Sequence, residues 1–214
     1  MPAILLVRHA QASYGGDDYD VLSPLGREQA VATRDALLTP DLRVTRVISG
    51  SLRRQIDSAR PWLGAGGEPE VDPRWDEYDA GDVLDAHGRV AASLERTPDS
   101  DAPLLSSRDF QAVLDEGLVA WIAAGDDSPA AVSWPAFRGR VQAALDELAA
   151  SLSSGVIATA CVIVLGVPDT AMITFNHVSV NGSLTKLTVG RRGTSLISFN
   201  EHAHLQARGM VTYR

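Results

Sequence analysis

Arg8 and His9 stand side by side near the start of the chain, directly after the apolar run Ile4-Leu5-Leu6-Val7. The pair could handle phosphate, because arginine offers a permanent planar fork of donors and histidine can attack or move protons near neutral pH. A short apolar run predicts a buried strand. Open α/β sheets bind their ligands just beyond the carboxyl ends of such strands. The sequence therefore predicts phosphate chemistry at the end of the first strand.

A second cationic pair, Arg53 and Arg54, opens a predicted helix that follows a short predicted strand over residues 44–49. The free N–H groups and the positive dipole end of a helix's first turn favour anions. An arginine placed there can converge with Arg8 on one phosphate. Helical geometry does not separate Arg53 from Arg54, and exposure to solvent is the usual fate of such a pair.

The elements that must position these residues alternate between strands and helices, which indicates an α/β protein with a mixed sheet. Ser23-Pro24 predicts a helix start, with serine as N-cap, and this helix runs to about Leu38. Residues 183–189 and 195–199 predict a late hairpin. A second long helix is predicted after Ser133, from the apolar stripe Phe137, Val141, Leu145, Leu148 and Leu152.

The segment from about 73 to 130 is rich in Asp, Arg, Ser and Pro and includes a helical piece over 109–124. We interpret it as a cap-like insertion that covers one end of the sheet. The remainder, with this insertion, predicts a single domain over residues 1–214.

Composition narrows the classes of function. The net charge is −8 and no basic block is present, which argues against nucleic acid or an anionic membrane as the main partner. Cys161 is the single cysteine, so neither a disulfide nor a thiolate metal site is expected within one chain. We expect Cys161 to be buried and to pack as a small hydrophobic residue. No signal peptide is visible, and the apolar stretch 156–167 falls short of the ~20 residues that span a bilayer. A cytoplasmic protein is expected.

Several patches, in order along the chain, resemble the histidine phosphatase superfamily, the phosphoglycerate mutase-like proteins. Leu6-Val7-Arg8-His9-Ala10 is similar to the family's Arg-His-Gly signature, with alanine in place of glycine. Residues 49–59 resemble its Ser-Ser-Pro-Leu-x-Arg-Ala-x-Gln-Thr-Ala segment, and this match selects Arg54. Trp75-Asp76-Glu77, followed by Gly81, resembles its Leu-x-Glu-x-x-x-Gly segment. Residues 22–30 are similar to the family's first helix, and residues 198–202 resemble the end of its bacterial members.

The resemblance implies a three-layer α/β/α fold with a mostly parallel central sheet. It implies a phosphatase in which His9 attacks phosphorus and carries a transient phosphohistidine. Arg8 and Arg54 would neutralise the phosphoryl oxygens, Glu77 would donate a proton to the leaving oxygen, and Ser13 could add a neutral donor. The expected partner is a small phosphorylated substrate or free phosphate, and no cofactor or metal is required.

The chain departs from the family at its second histidine, which normally stands in a Ser-His-Gly-type loop after another sheet strand. The nearest similarity is residues 153–157, with serine where the histidine would stand, and the preceding strand of about 5–6 residues is missing too. Two interpretations remain. Residues 156–165 stay helical and the sheet lacks an inner strand, or the β-branched part of this run is itself the strand. The similarity of residues 165–168 to the family's post-helix turn favours the helix.

Two classes of function remain after this departure. A phosphomonoesterase is favoured by the presence of Arg8, His9, Arg54 and Glu77. A catalytically impaired protein of the same fold, which binds a phosphorylated ligand or another protein, is favoured by the missing second histidine. A mutase is less favoured because the insertion adds no basic cluster, and a nucleotide-binding module is disfavoured because no glycine-rich phosphate loop follows a strand. We expect the other histidines to be structural or exposed: His87, His177, His202 and His204.

Overall fold

The computed structural model describes residues 3–13, 19–37, 44–87, 107–151, 157–190 and 193–213. Strands and helices are mixed, so the α/β class is confirmed. In chain order the elements are β1 (Ala3–Val7), α1 (Pro24–Leu37), β2 (Ile48–Ser49), α2 (Arg53–Ala59), β3 (Glu70–Val71), α3 (Ala80–Ala86), α4 (Ser107–Ala124), α5 (Trp134–Ser151), α6 (Ile157–Leu165), α7 (Ala171–Val178), β4 (Leu184–Gly190), β5 (Gly193–Glu201) and α8 (Ala203–Gln206).

The strands form two separate sheets in the part of the chain that is described. One has the order β1-β4-β5 and is antiparallel throughout, while β2 and β3 form a parallel pair over two residues each. The prediction of a mostly parallel central sheet is therefore wrong for these residues. The physical reason is that β1 pairs with β4, the first strand of the late hairpin, which runs antiparallel to it. Among the described residues, parallel pairing is limited to the short contact between β2 and β3.

Helix α6 decides between the two interpretations of residues 156–165. Ile157–Leu165 is helical, and Ala160 and Val162 are completely buried in the helical conformation. The favoured interpretation, that this run stays helical, is confirmed. Residues 152–156, which include the serines that stand near the position of the family's second histidine, lie outside the described residues.

Helix α1 begins where the sequence predicts it, because Ser23 Oγ accepts a hydrogen bond of 2.9 Å from the N–H of Gly26. Gly26 also lets the helix approach the chain after β1, since a Cβ at this position would lie 2.1 Å from the carbonyl oxygen of Gln11. The N–H of Gln11 in turn donates to the side chain of the buried Gln29 at 2.8 Å. Helix α1 therefore holds the loop that follows His9.

The core lies between β1 and the helices α3 to α7. Trp121, Trp134 and Phe137 contact one another, with ring centroids 5.5–5.9 Å apart. The predicted stripe of α5 is buried from Phe137 to Leu148, which confirms that helix, whereas Leu152 lies outside the described residues. Cys161 is buried, and burial raises the pKa of its thiol to about 12, so it packs as the small hydrophobe that was expected. None of the described helices combines the length and apolarity needed to cross a membrane.

Candidate active site

Three of the five predicted site residues meet in one cavity. Arg8, His9 and Glu77 line a cavity of about 150 Å³ together with Ser49, which ends β2, and Gly50, which follows it. Arg54 and Ser13 are not among the described residues that line it. The cavity thus lies at the carboxyl ends of β1 and β2, where the sequence predicts the chemistry.

The ring of His9 has a defined orientation. Its Nδ1 lies 2.8 Å from the carbonyl oxygen of Ala10, which can only accept a hydrogen bond. Nδ1 therefore carries the proton in the neutral ring, and Nε2 keeps the lone pair that nucleophilic attack requires. The N–H of Ala10 donates to Ser58 Oγ at 2.9 Å, and this hydroxyl donates to the carbonyl of Arg54 at 2.7 Å. Helix α2 is thereby fixed against the loop that presents His9.

Arg8 is held from the other side, by the segment between α7 and β4. Its Nη1 donates to the carbonyl oxygen of Ser179, and its backbone N–H donates to the carbonyl of Ser183 at 3.1 Å. These two bonds fix the strand end and the guanidinium beside the cavity.

Arg54 is distinguished from Arg53 by burial. Only 9% of Arg54 is exposed, whereas Arg53 is exposed. Arg54 Nη1 lies 2.7 Å from Oδ1 of Asp20, and Asp20 also accepts from the N–H groups of Arg53 and Arg54, at 2.8 and 3.4 Å. A carboxylate therefore occupies the first turn of α2, where the sequence predicts an anion. Nε of Arg54 is buried and has no hydrogen-bond partner among the described residues.

Glu77 owes its position to its neighbour Asp76. The Asp76 carboxylate accepts from the N–H of Ser51 at 2.5 Å and from the Ser51 hydroxyl at 2.7 Å. Arg140 donates to the backbone carbonyl of Asp76 at 2.8 Å. Burial lowers the pKa of Arg140, and the negative charges of Asp76 and Glu77 oppose that effect, so the three groups act on one another electrostatically. Glu77 is thus attached to the turn after β2 and faces the same cavity as His9.

This geometry agrees with the match to known families. The model of the histidine phosphatase superfamily (branch 1) matches residues 4–202. The chain belongs to this superfamily. A search of curated proteins found no significant match.

Several solved structures of phosphatases share the fold of this superfamily member. A mycobacterial glucosyl-3-phosphoglycerate phosphatase in complex with inorganic phosphate is 21% identical, with a TM-score of 0.63 over 95% of this chain and 99% of the other. The α-ribazole phosphatase of Shigella flexneri is 18% identical, with a TM-score of 0.61 over 93% and 96%. A phosphoserine phosphatase mutant of Entamoeba histolytica in complex with phosphoserine is 17% identical, with a TM-score of 0.64 over 96% and 100%.

Gly50 allows the side chains of Gln55 and Asp76 to lie close to the backbone that follows β2. A Cβ at Gly50 would lie 2.1 Å from Gln55 Oε1 and 2.7 Å from Asp76 Oδ1. We expect Gly50→Ala to displace both side chains, to lower the free energy of unfolding by about 1–3 kcal/mol and to reduce kcat/KM by moving Glu77. Urea denaturation and steady-state kinetics measure the two effects.

The matched control is Gly139→Ala. Gly139 lies in α5, and a Cβ there would meet nothing within 4 Å. This substitution should raise the free energy of unfolding by about 0.5–1 kcal/mol, because alanine is the better helix former, and should leave kcat/KM unchanged. A Gly50→Ala protein with unaltered stability and kinetics would contradict the role given to Gly50.

The remaining histidines lie away from the cavity. His204 packs against Thr33 at 3.1 Å, and burial lowers its pKa, while His202 contacts the backbone carbonyl of Asn200. His87 contacts Ser128, and His177 lies 3.4 Å from Asp115. No group of three His, Cys, Asp or Glu side chains that could hold a metal occurs among the residues described. Ser13 joins the site loop through its backbone, which donates to the carbonyl of Val21 at 2.8 Å.

Sequence reasoning missed three polar residues at or near the site. Gln55 and Asn176 line the cavity: Gln55 Nε2 donates to the carbonyl of Trp75 at 2.8 Å, and Asn176 Nδ2 donates to the Tyr78 hydroxyl at 3.3 Å. Asp20 is the third. Gln55 lies inside the quoted motif, but nothing in the spacing of Asn176 or Asp20 could have indicated that the fold brings them here.

Proposed function

We propose that the protein is a phosphatase that hydrolyses a small phosphorylated substrate through a phosphohistidine on His9. The observation that carries the proposal is the shared cavity of Arg8, His9 and Glu77, with Nδ1 of His9 held on the carbonyl oxygen of Ala10. Arginine, imidazole and carboxyl are the groups needed to bind, attack and protonate a phosphate monoester. Membership of the superfamily and the phosphatases of similar fold support it.

In the proposed reaction, Nε2 of His9 attacks phosphorus while the bond from phosphorus to the ester oxygen breaks. The carboxyl group of Glu77 gives its proton to the departing oxygen, so an alcohol leaves. Water then attacks the phosphohistidine, the Glu77 carboxylate takes a proton from that water, and the bond from nitrogen to phosphorus breaks. Phosphate and neutral His9 are the result, and no step needs a metal.

Arg8 and Arg54 are the proposed phosphate ligands. Arg54 does not line the cavity, so we propose that its guanidinium turns towards the phosphoryl group when substrate binds. With five N–H donors it can keep its Nη1 bond to Asp20 and use other donors for a phosphoryl oxygen. Arg8 reaches the cavity from β1. Ser13 is a proposed neutral donor through its side chain. We also propose the cytoplasm as the place of action.

The second candidate function is a catalytically impaired protein that binds a phosphorylated ligand through the same cavity. It is favoured by the serine near the position where the superfamily carries its second histidine. Gln55 and Asn176 supply amide donors at the cavity, which can bind an anion but cannot match the positive charge of a protonated imidazole.

A trapping experiment separates the two candidates. Purified protein is mixed with a 32P-labelled aryl phosphate, quenched within milliseconds and digested, and a panel of phosphorylated metabolites is assayed in parallel. A phosphatase of the proposed kind yields acid-labile label on the peptide that contains His9, together with turnover of some panel members. Binding of phosphate without label and without turnover across the panel would leave the impaired protein as the function.

A further inference from the structure

The cavity extends from the reactive residues into the space between the two sheets. Leu5 and Val7 of β1 and Ile48 of β2 line it. In the described residues β1 pairs with β4 on one side only, and β2 pairs with β3 on one side only. The other edges of β1 and β2 therefore face the same cavity, which lies where an inner strand of one continuous sheet would run.

Hydrogen-bond directions support this placement. The N–H of Arg8 donates towards β4, and alternate residues of an antiparallel strand turn their N–H and C=O groups to opposite sides. Leu5 and Val7 therefore turn their backbone groups away from β4. Likewise the carbonyls of Val47 and Ser49 accept from β3, so Ile48 turns its backbone groups away from β3. The cavity wall thus has a narrow polar stripe at each strand edge.

Apolar side chains form much of the remaining wall, which also includes the polar Ser58 and Thr159. Helix α2 and the turn after it contribute Ala59 and Trp62, and helices α6 and α7 contribute Ala158 and Met172. The whole cavity, including the part beside Arg8 and His9, has a volume of about 150 Å³, similar to that of a protein cavity which holds one benzene molecule. A ring-sized apolar group therefore fits beside His9 and Arg8, and the polar stripes offer hydrogen bonds to a substituent on it.

We propose that this part of the cavity is a chamber for the alcohol portion of the substrate, and that the substrate class is a phosphate monoester of a compact, ring-sized apolar alcohol. The inference rests on the proposed function, since Arg8 and His9 hold the phosphoryl group at the mouth of the chamber. Burial of the apolar group supplies binding energy that a small polar alcohol cannot supply.

Benzyl phosphate and ethyl phosphate test the substrate class, because both leave as ordinary primary alcohols and differ mainly in the ring. We expect kcat/KM for benzyl phosphate to exceed that for ethyl phosphate at least tenfold in the unaltered protein. Equal values, or a preference for ethyl phosphate, would overturn the inference while the proposed phosphatase remained.

Ala158→Leu tests the place of binding by filling the chamber from α6. Its expected effect is to bring the ratio of the two kcat/KM values close to one. The matched control is Ala171→Leu, because Ala171 is also a partly buried alanine against the same core but does not line the cavity, and it should keep the tenfold ratio. Ala59→Leu fills the chamber from α2 and replaces Ala158→Leu if that variant fails to fold. A tenfold ratio that persists in a folded filling variant would overturn the inference.

Binding without turnover separates this inference from the proposed function. Benzylphosphonate and ethylphosphonate, which cannot be hydrolysed at the carbon–phosphorus bond, are titrated calorimetrically. Benzylphosphonate should bind at least tenfold more tightly, and a filling variant should abolish the difference. If both binding results are obtained with a protein that hydrolyses no ester, the inferred chamber is supported and the proposed phosphatase activity is contradicted. Equal binding of the two phosphonates overturns the chamber whatever the turnover.

Discussion

Replacing His9 with alanine is expected to reduce the hydrolysis of aryl phosphates at least thousandfold, because alanine cannot form the covalent intermediate. Phosphate binding should be retained in part, since the arginines remain. Turnover of 4-nitrophenyl phosphate and calorimetric titration with phosphate measure the two quantities separately. A loss of turnover with retained binding distinguishes removal of the nucleophile from collapse of the site.

The matched control is His177→Ala. His177 lies on α7, with 58% of its side chain exposed, and does not line the cavity. Its contact with Asp115 is at the surface and contributes little, so this variant should keep full activity. If His9→Ala retained more than a tenth of the normal turnover, attack by His9 would have to be abandoned.

Arg54→Ala is expected to weaken competitive inhibition by phosphate or vanadate about 10- to 100-fold, which corresponds to a hydrogen bond to a charged group worth about 1.5–3 kcal/mol. Arg53→Ala should change inhibition less than twofold, because Arg53 is exposed and the capping bond to Asp20 uses its backbone N–H. Inhibition constants for the two variants provide the comparison.

Arg54 also has a structural contact that the experiment must separate. Its removal takes a charged side-chain donor away from Asp20, while the two backbone N–H groups of α2 still donate to that carboxylate. The thermal midpoint is therefore measured for each variant, and Arg54→Lys restores the charge without the planar fork. A lowered thermal midpoint with unaltered inhibition would make Arg54 a partner of Asp20 rather than a ligand of phosphate. Equal losses of inhibition in Arg53→Ala and Arg54→Ala would mean that Arg54 was wrongly selected over Arg53 as the phosphate ligand.

Much of the fold could be predicted from local signals in the sequence. Ser23-Pro24 marks the start of α1, and the apolar stripe from Phe137 to Leu148 marks α5, because capping and one-sided burial depend on residues close together in the chain. The hairpin of β4 and β5 follows from alternation. The direction in which the strands pair could not be predicted from such local signals, because the pairing of β1 with β4 joins residues about 180 positions apart. Strand β2 is also shorter than the run over 44–49 suggests.

The candidate site, like the fold, could be predicted from the sequence only in part. Arg8, His9 and Glu77 were found from short motifs, and the structure brings them to one cavity. The contact between Arg54 and Asp20 spans 34 positions and depends on how the segment before α1 reaches α2. The apolar chamber could not be predicted either, because it is formed by what lies between two strand edges rather than by any run of residues.

The division of the strands into two sheets has a consequence for how the protein opens. β1 and β4 pair through five residues, whereas β2 and β3 pair through two. Within the described ranges no backbone ladder connects the two sheets, so separation of β2 from β3 breaks few hydrogen bonds and leaves the larger sheet intact. Local unfolding of this kind costs less than global unfolding. We therefore expect the segment that ends in Ser49 and Gly50 to belong to a less stable cooperative unit than strand β1, which precedes His9.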